Sequence, residues 1–103
     1  MKNTIFNDTV GASTQSEKLN IENSKGYSIQ INITNASTLD ITTKLQGSND
    51  GLNWSDIPST SNNITADTTV LINEENQYYE YVRVDIAWVS GSADVEIISK
   101  KKR

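Results

Sequence analysis

The feature that most constrains this chain is the alternation of apolar and polar residues with a period of two. In Tyr27-Ser28-Ile29-Gln30-Ile31-Asn32-Ile33-Thr34 the three isoleucines point one way, and Gln30 and Asn32 the other. Leu39-Asp40-Ile41-Thr42-Thr43-Lys44-Leu45 repeats the pattern with Leu39, Ile41 and Leu45 inward. A helix needs apolar residues three and four apart, and no stretch shows that spacing. The period of two describes a strand buried on one face only.

Other segments read the same way. Residues 79–88 form the longest strand, with Val82, Val84, Ile86 and Trp88 on one face and Tyr81, Arg83, Asp85 and Ala87 on the other. Residues 93–99 close the domain, with Val95 and Ile97 inward. Residues 18–21, 54–57 and 69–72 are short strands, and Thr4-Ile5-Phe6 is a weak one. Between them stand turn residues: Asn35-Ala36-Ser37-Thr38, which predicts a hairpin between 27–34 and 39–45, then Asn49-Asp50-Gly51, Asn73-Glu74-Glu75-Asn76 and Ser90-Gly91-Ser92. Pro58 ends or edges its strand, because proline donates no ladder hydrogen bond. About seven or eight short strands with turns between them predict an all-β fold, a single antiparallel β-sandwich of jelly-roll type.

A chain of 103 residues holds one domain. The sandwich is assigned to 17–99. Residues 1–16 are the least patterned and read as an N-terminal arm that orders on contact with a neighbour. Lys100, Lys101, Lys102 and Arg103 read as a basic C-terminal tail on an otherwise acidic body, which has five basic residues against thirteen acidic ones. An acidic body repels phosphate, so nucleic acid is not an expected partner. No segment approaches the roughly 20 apolar residues of a membrane span, and the start lacks the apolar run of a secretion signal. Synthesis and retention in a cytoplasm, or release by lysis, is the expectation.

The inventory disfavours an enzyme. The chain has no histidine and no cysteine, which removes the commonest general base near neutral pH, thiolate chemistry and the usual transition-metal ligands. No catalytic residue, metal or cofactor is assigned. Asn49, Asp50, Asn53 and Asp56 gather side-chain oxygens, but without the closing carboxylate of a calcium loop they read as turn residues. Glu74, Glu75 and Glu80 flank a turn and read as solvated charge. Trp54 and Trp88 read as core or rim packing. Tyr79 and Tyr81 share a strand face expected to point outward, where tyrosine serves contact surfaces. The candidate protein-contact residues are therefore Tyr79, Tyr81, Lys100, Lys101, Lys102 and Arg103.

Two resemblances add to this reading. Gly47-Ser48-Asn49-Asp50-Gly51-Leu52-Asn53-Trp54, followed by Tyr81-Val82-Arg83-Val84, resembles the hairpin and strand of the discoidin-like (coagulation factor 5/8 type C) β-sandwich. Lys44 to Gly51, Trp54, Asp56-Ile57, Tyr81 to Val84, Ser90-Gly91-Ser92 and Val95-Glu96-Ile97 together resemble small tailed-phage virion proteins. Among these are the auxiliary capsid (decoration) proteins and head-fibre bases of crAss-like phages. That resemblance implies a structural protein on the capsid surface, made in the host cytoplasm. It would bind the major capsid protein or other virion proteins, and it could form a homo-oligomer. A carbohydrate-binding β-sandwich module using Tyr or Trp platforms is the alternative.

Overall fold

A computed structural model describes residues 2–22, 24–75 and 79–102. The fold is all-β and antiparallel. Eight strands are formed by the described residues: β1 Lys2–Val10, β2 Thr14–Gln15, β3 Leu19–Asn20, β4 Gly26–Ser48, β5 Ser55–Asp56, β6 Asn62–Ile64, β7 Thr68–Glu75 and β8 Tyr81–Lys102.

Two of these strands are far longer than the alternation implied. β4 has 23 residues and β8 has 22, and they pair with each other over nearly their whole length. A straight strand of that size would span about 75 Å, yet the longest dimension of the molecule is 40 Å. The β4–β8 ribbon therefore bends back on itself. The bend lies where the register slips, between Thr34 and Ile41 of β4. On one side of it, β1 and β7 flank the ribbon. On the other, β2 and β3 lie beside β8, and β5 and β6 beside β4. The two halves are the layers of the sandwich. Their inner faces share one core that joins Ile29, Ile31, Ile33, Val95 and Ile97 to Ile41, Leu45, Val82, Val84 and Ile86.

The bend explains why two predicted turns are not turns. Residues 27–34 and 39–45 do not form a hairpin with each other; they are successive parts of β4, and both pair with β8. Asn35 and Thr38 take left-handed backbone angles (φ 54° and 47°) inside the strand, as bulged residues do. Ser90-Gly91-Ser92 lies within β8, where Gly91 has φ 77°. One such insertion flips the face on which side chains emerge, and two restore it. β4 has two, and its buried residues stay on odd numbers from Ile29 to Leu45. β8 has one, and its buried residues change from Val82, Val84 and Ile86 to Val95 and Ile97.

Four further expectations are corrected. The segment read as an N-terminal arm is mostly sheet: β1 pairs with β8, and Ile5 and Val10 are buried, so apolar burial holds it down. Asn73, Glu74 and Glu75 continue β7 against Gly26–Ser28 instead of turning. The basic tail is strand through Lys102, paired with the start of β4; Arg103 lies outside the described residues. Trp88, expected to close the inward row, sits at the bend with 37 % of its surface exposed, and its Nε1–H donates to the Gly91 carbonyl at 2.9 Å.

Candidate interaction surface

Because the ribbon folds back, the start and the end of β8 come to the same end of the sandwich. Lys101 Nζ donates to the carbonyl of Asn20, the residue paired with Tyr81, at 3.2 Å. The tyrosines and lysines named from sequence thus lie near one another, although about twenty residues separate them in the chain.

Their environments differ. Tyr81 is half-buried on the outer face, with Lys18 Nζ 4.8 Å from its ring centre and Gly51 packed against the ring edge. A cation on an aromatic face is held by the ring quadrupole. A hydrogen bond to Glu80 pushes the Tyr81 hydroxyl above its ordinary range. Tyr79 does not share that face. It precedes β8 and packs against the core over Gly47, where an added Cβ would stand 2.7 Å from the ring. Only Gly47 leaves room for it, a pairing that neither residue reveals by sequence spacing. Tyr78 lies outside the described residues.

Lys101 and Lys102 are engaged rather than loose. Lys102 Nζ stands 3.6 Å from Glu75, and its carbonyl accepts the Lys25 N–H at 2.7 Å. Lys100, Lys101 and Lys102 line one wall of a solvent-open groove of about 470 Å³, with Glu74 and Glu75 opposite. Tyr27 borders this groove from the core side. Its hydroxyl is buried with no hydrogen-bond partner among the described residues. Burial, with Glu74 nearby, pushes it well above the ordinary tyrosine range. Close by, Glu22 and Glu80 share a hydrogen bond that raises the Glu22 carboxyl above its usual value.

The outer face of the second layer is a continuous polar and aromatic network that the sequence reading missed. The Arg83 guanidinium lies 4.4 Å from the Trp54 ring centre, and its Nε donates to Gln46 Oε1 at 2.8 Å. Gln46 Nε2 and Lys44 Nζ both donate to Asp56, each at 3.0 Å. Those bonds, from Gln46 first, hold the Asp56 carboxyl below its usual range. Period-two spacing places Lys44, Gln46 and Arg83 outward, but the cross-strand register decides who meets whom. Trp54 is therefore rim packing, half-exposed under a guanidinium.

The Asn-Asp-Gly segment is a structural loop. The Asp50 carboxylate accepts the Leu52 and Asn53 main-chain N–H groups at 2.8 and 2.9 Å and the Asn53 side-chain amide at 2.9 Å. Ser48 Oγ accepts the Gly51 N–H at 2.8 Å, and Gly51 has φ 74°. The Asn53 N–H, then the Leu52 N–H, hold Asp50 far below the usual carboxylate range. Among the described residues, no three His, Cys, Asp or Glu side chains are grouped as a metal site would need. What the surface offers is fixed aromatic rings, paired charges and strand edges.

The sequence matches no family model and no curated protein. Solved structures share the fold. The SPBc2 prophage-derived protein YomS aligns over 96 % of this chain and 90 % of its own, with TM-score 0.64 and 12 % identity. The PBSX exported protein XepA aligns over 99 % of this chain with TM-score 0.65 and 8 % identity. This chain spans only 37 % of XepA. A CBM4 structure aligns over 85 % of this chain and 61 % of its own, with TM-score 0.54 and 18 % identity.

Proposed function

We propose that this chain is a phage-encoded structural protein of the virion. In this reading it is an auxiliary capsid (decoration) or head-fibre sandwich that binds the major capsid protein or another virion protein. The observation that carries the reading is the likeness to the prophage-derived YomS over nearly the full length of both chains. The residue inventory supports contact rather than catalysis: no histidine, no cysteine, and Asp50, Asp56 and Glu75 already committed to a turn and to ion pairs. Binding would be surface complementarity, with Tyr81 and the Lys100–102 end as contacts. Repetition on a capsid lattice makes modest single contacts sufficient.

The experiment is a density gradient of phage particles probed for this chain. Co-sedimentation with full heads in stoichiometric amount is the expected result. Recovery only from the soluble fraction would overturn the proposal. The likeness to the CBM4 structure supports a second reading, a carbohydrate-binding module. Against it, one face of the Tyr81 ring and one of the Trp54 ring are already covered by Lys18 and Arg83. A glycan screen decides it: binding that is lost in Tyr81→Ala would favour the module.

A further inference from the structure

The edges of the sheet are not equally protected. β2, β3, β5 and β6 are two or three residues long. β1 begins with a lysine, and its register is broken between Thr4 and Phe6. β7 differs. Its eight residues pair with β4 without a slip, and it contains no proline, lysine or arginine. Its other side pairs with no strand among the described residues. On its outer face Leu71 is 59 % exposed, beside Ile98 and Gln30. Bulges, prolines and charged side chains, lysine above all, are the usual means of keeping an edge from pairing; β7 has no bulge, proline or lysine, and its two charges, Glu74 and Glu75, stand together at its C-terminal end.

We propose that β7 is the dimer edge of this protein: a second copy lays its own β7 antiparallel alongside, with Leu71 on the two-fold axis. The register follows from side-chain faces. Residues directly opposite in an antiparallel pair emerge on the same face. Val70 and Ile72 pack toward the core, whereas Leu71 faces out. A symmetric pairing that keeps both cores on one side must therefore be centred on a residue. Centred on Leu71, it sets Leu71 against Leu71, Val70 against Ile72, Thr69 against Asn73 and Thr68 against Glu74. Apolar residues meet apolar ones, and from Thr68 to Glu74 no charge meets a like charge. Centring on Ile72 would set Glu74 against Val70, and centring on Val70 would set Leu71 against Thr69. Beyond the strand, Asp67 would approach Glu75 of the second copy. Asp67 is turned back, however, to accept the Ala36 N–H at 2.8 Å, and Glu75 is paired with Lys102. The pairing would join two outer layers into one continuous sheet, and it does not depend on the virion reading.

The absence of cysteine gives a clean test. Opposed residues in an antiparallel pair have Cα atoms about 4.5–5.5 Å apart, within the range of about 4.4–6.8 Å that a disulfide spans. Leu71→Cys should oxidise to a covalent dimer, much faster than Leu52→Cys, a control on an exposed loop (81 % exposed). Thr69→Cys and Asn73→Cys should each stay largely monomeric alone, because each lies roughly 13 Å from its own copy. The double variant should cross-link. By sedimentation the wild type should run at twice the 11.4 kDa chain mass. Leu71→Lys should run as a folded monomer, since it sets like charges face to face. A wild type that stays monomeric at high concentration, a dimer that survives Leu71→Lys, or Leu71→Cys oxidising no faster than Leu52→Cys would each overturn the proposal. The first result would leave the edge to a strand of a different protein.

Discussion

Replacing Gly91 with alanine strikes the bend that makes a sandwich out of one ribbon. Gly91 has φ 77°, and a Cβ there would stand 2.3 Å from the Thr38 carbonyl oxygen and 2.4 Å from that of Ser37. The left-handed backbone costs an L-residue about 1–2 kcal/mol. The contacts are with main chain, so no side chain can swing away, and β4 itself must shift; forced overpacking typically costs about 1–3 kcal/mol. Together these give about 2–5 kcal/mol, against a total stability of about 5–15 kcal/mol for a domain of ordinary size. In urea unfolding the midpoint should fall without a change in slope, and the melting temperature should drop by at least about 8 °C. Gly11→Ala is the control: nothing lies within 4 Å of its added Cβ, and its effect should stay within about 0.5 kcal/mol. A Gly91→Ala protein as stable as Gly11→Ala would refute the view that close strand approach at a left-handed glycine sets the bend.

Other perturbations separate the remaining contributions. Thr43 is fully buried and its hydroxyl has no partner among the described residues; Thr43→Val should stabilise by about 1 kcal/mol, read as a higher urea midpoint. Trp54→Ala should cost about 1 kcal/mol, the value of a half-exposed cation–π stack, rather than the roughly 3–5 kcal/mol of a core tryptophan. A loss in the core range would place Trp54 inside. Arg83→Ala should change Trp54 fluorescence, and the change should vanish in a Trp54→Phe background. Asp50 has a folded pKa below its unfolded value of about 3.9. Its contribution is therefore complete above that value and is lost as pH falls further. Between about pH 5 and about pH 2 the wild type should lose stability more steeply than Asp50→Asn, and equal slopes would contradict the loop-capping role.

Alternation by itself determined a good deal. It gave the strand class and the inward sets Ile29, Ile31, Ile33 and Val82, Val84, Ile86, because burying one face of a strand requires a period of two wherever the strand ends up. It also placed Tyr81 outward. Composition alone set aside histidine- and thiol-based chemistry. Tertiary structure decided how the strands connect. Asn35, Thr38 and Gly91 mark places where the backbone can turn left-handed, and that capacity is local: it serves a hairpin and a bulge equally well. Which one forms depends on whether a partner strand continues past the spot, and each of β4 and β8 supplies the other's partner from more than thirty residues away. The same long-range pairing brought Tyr81 beside the lysine end, tucked Tyr79 over Gly47, stacked Arg83 on Trp54 and left β7 at an edge. None of those neighbours is close in sequence, so no local pattern could reveal them.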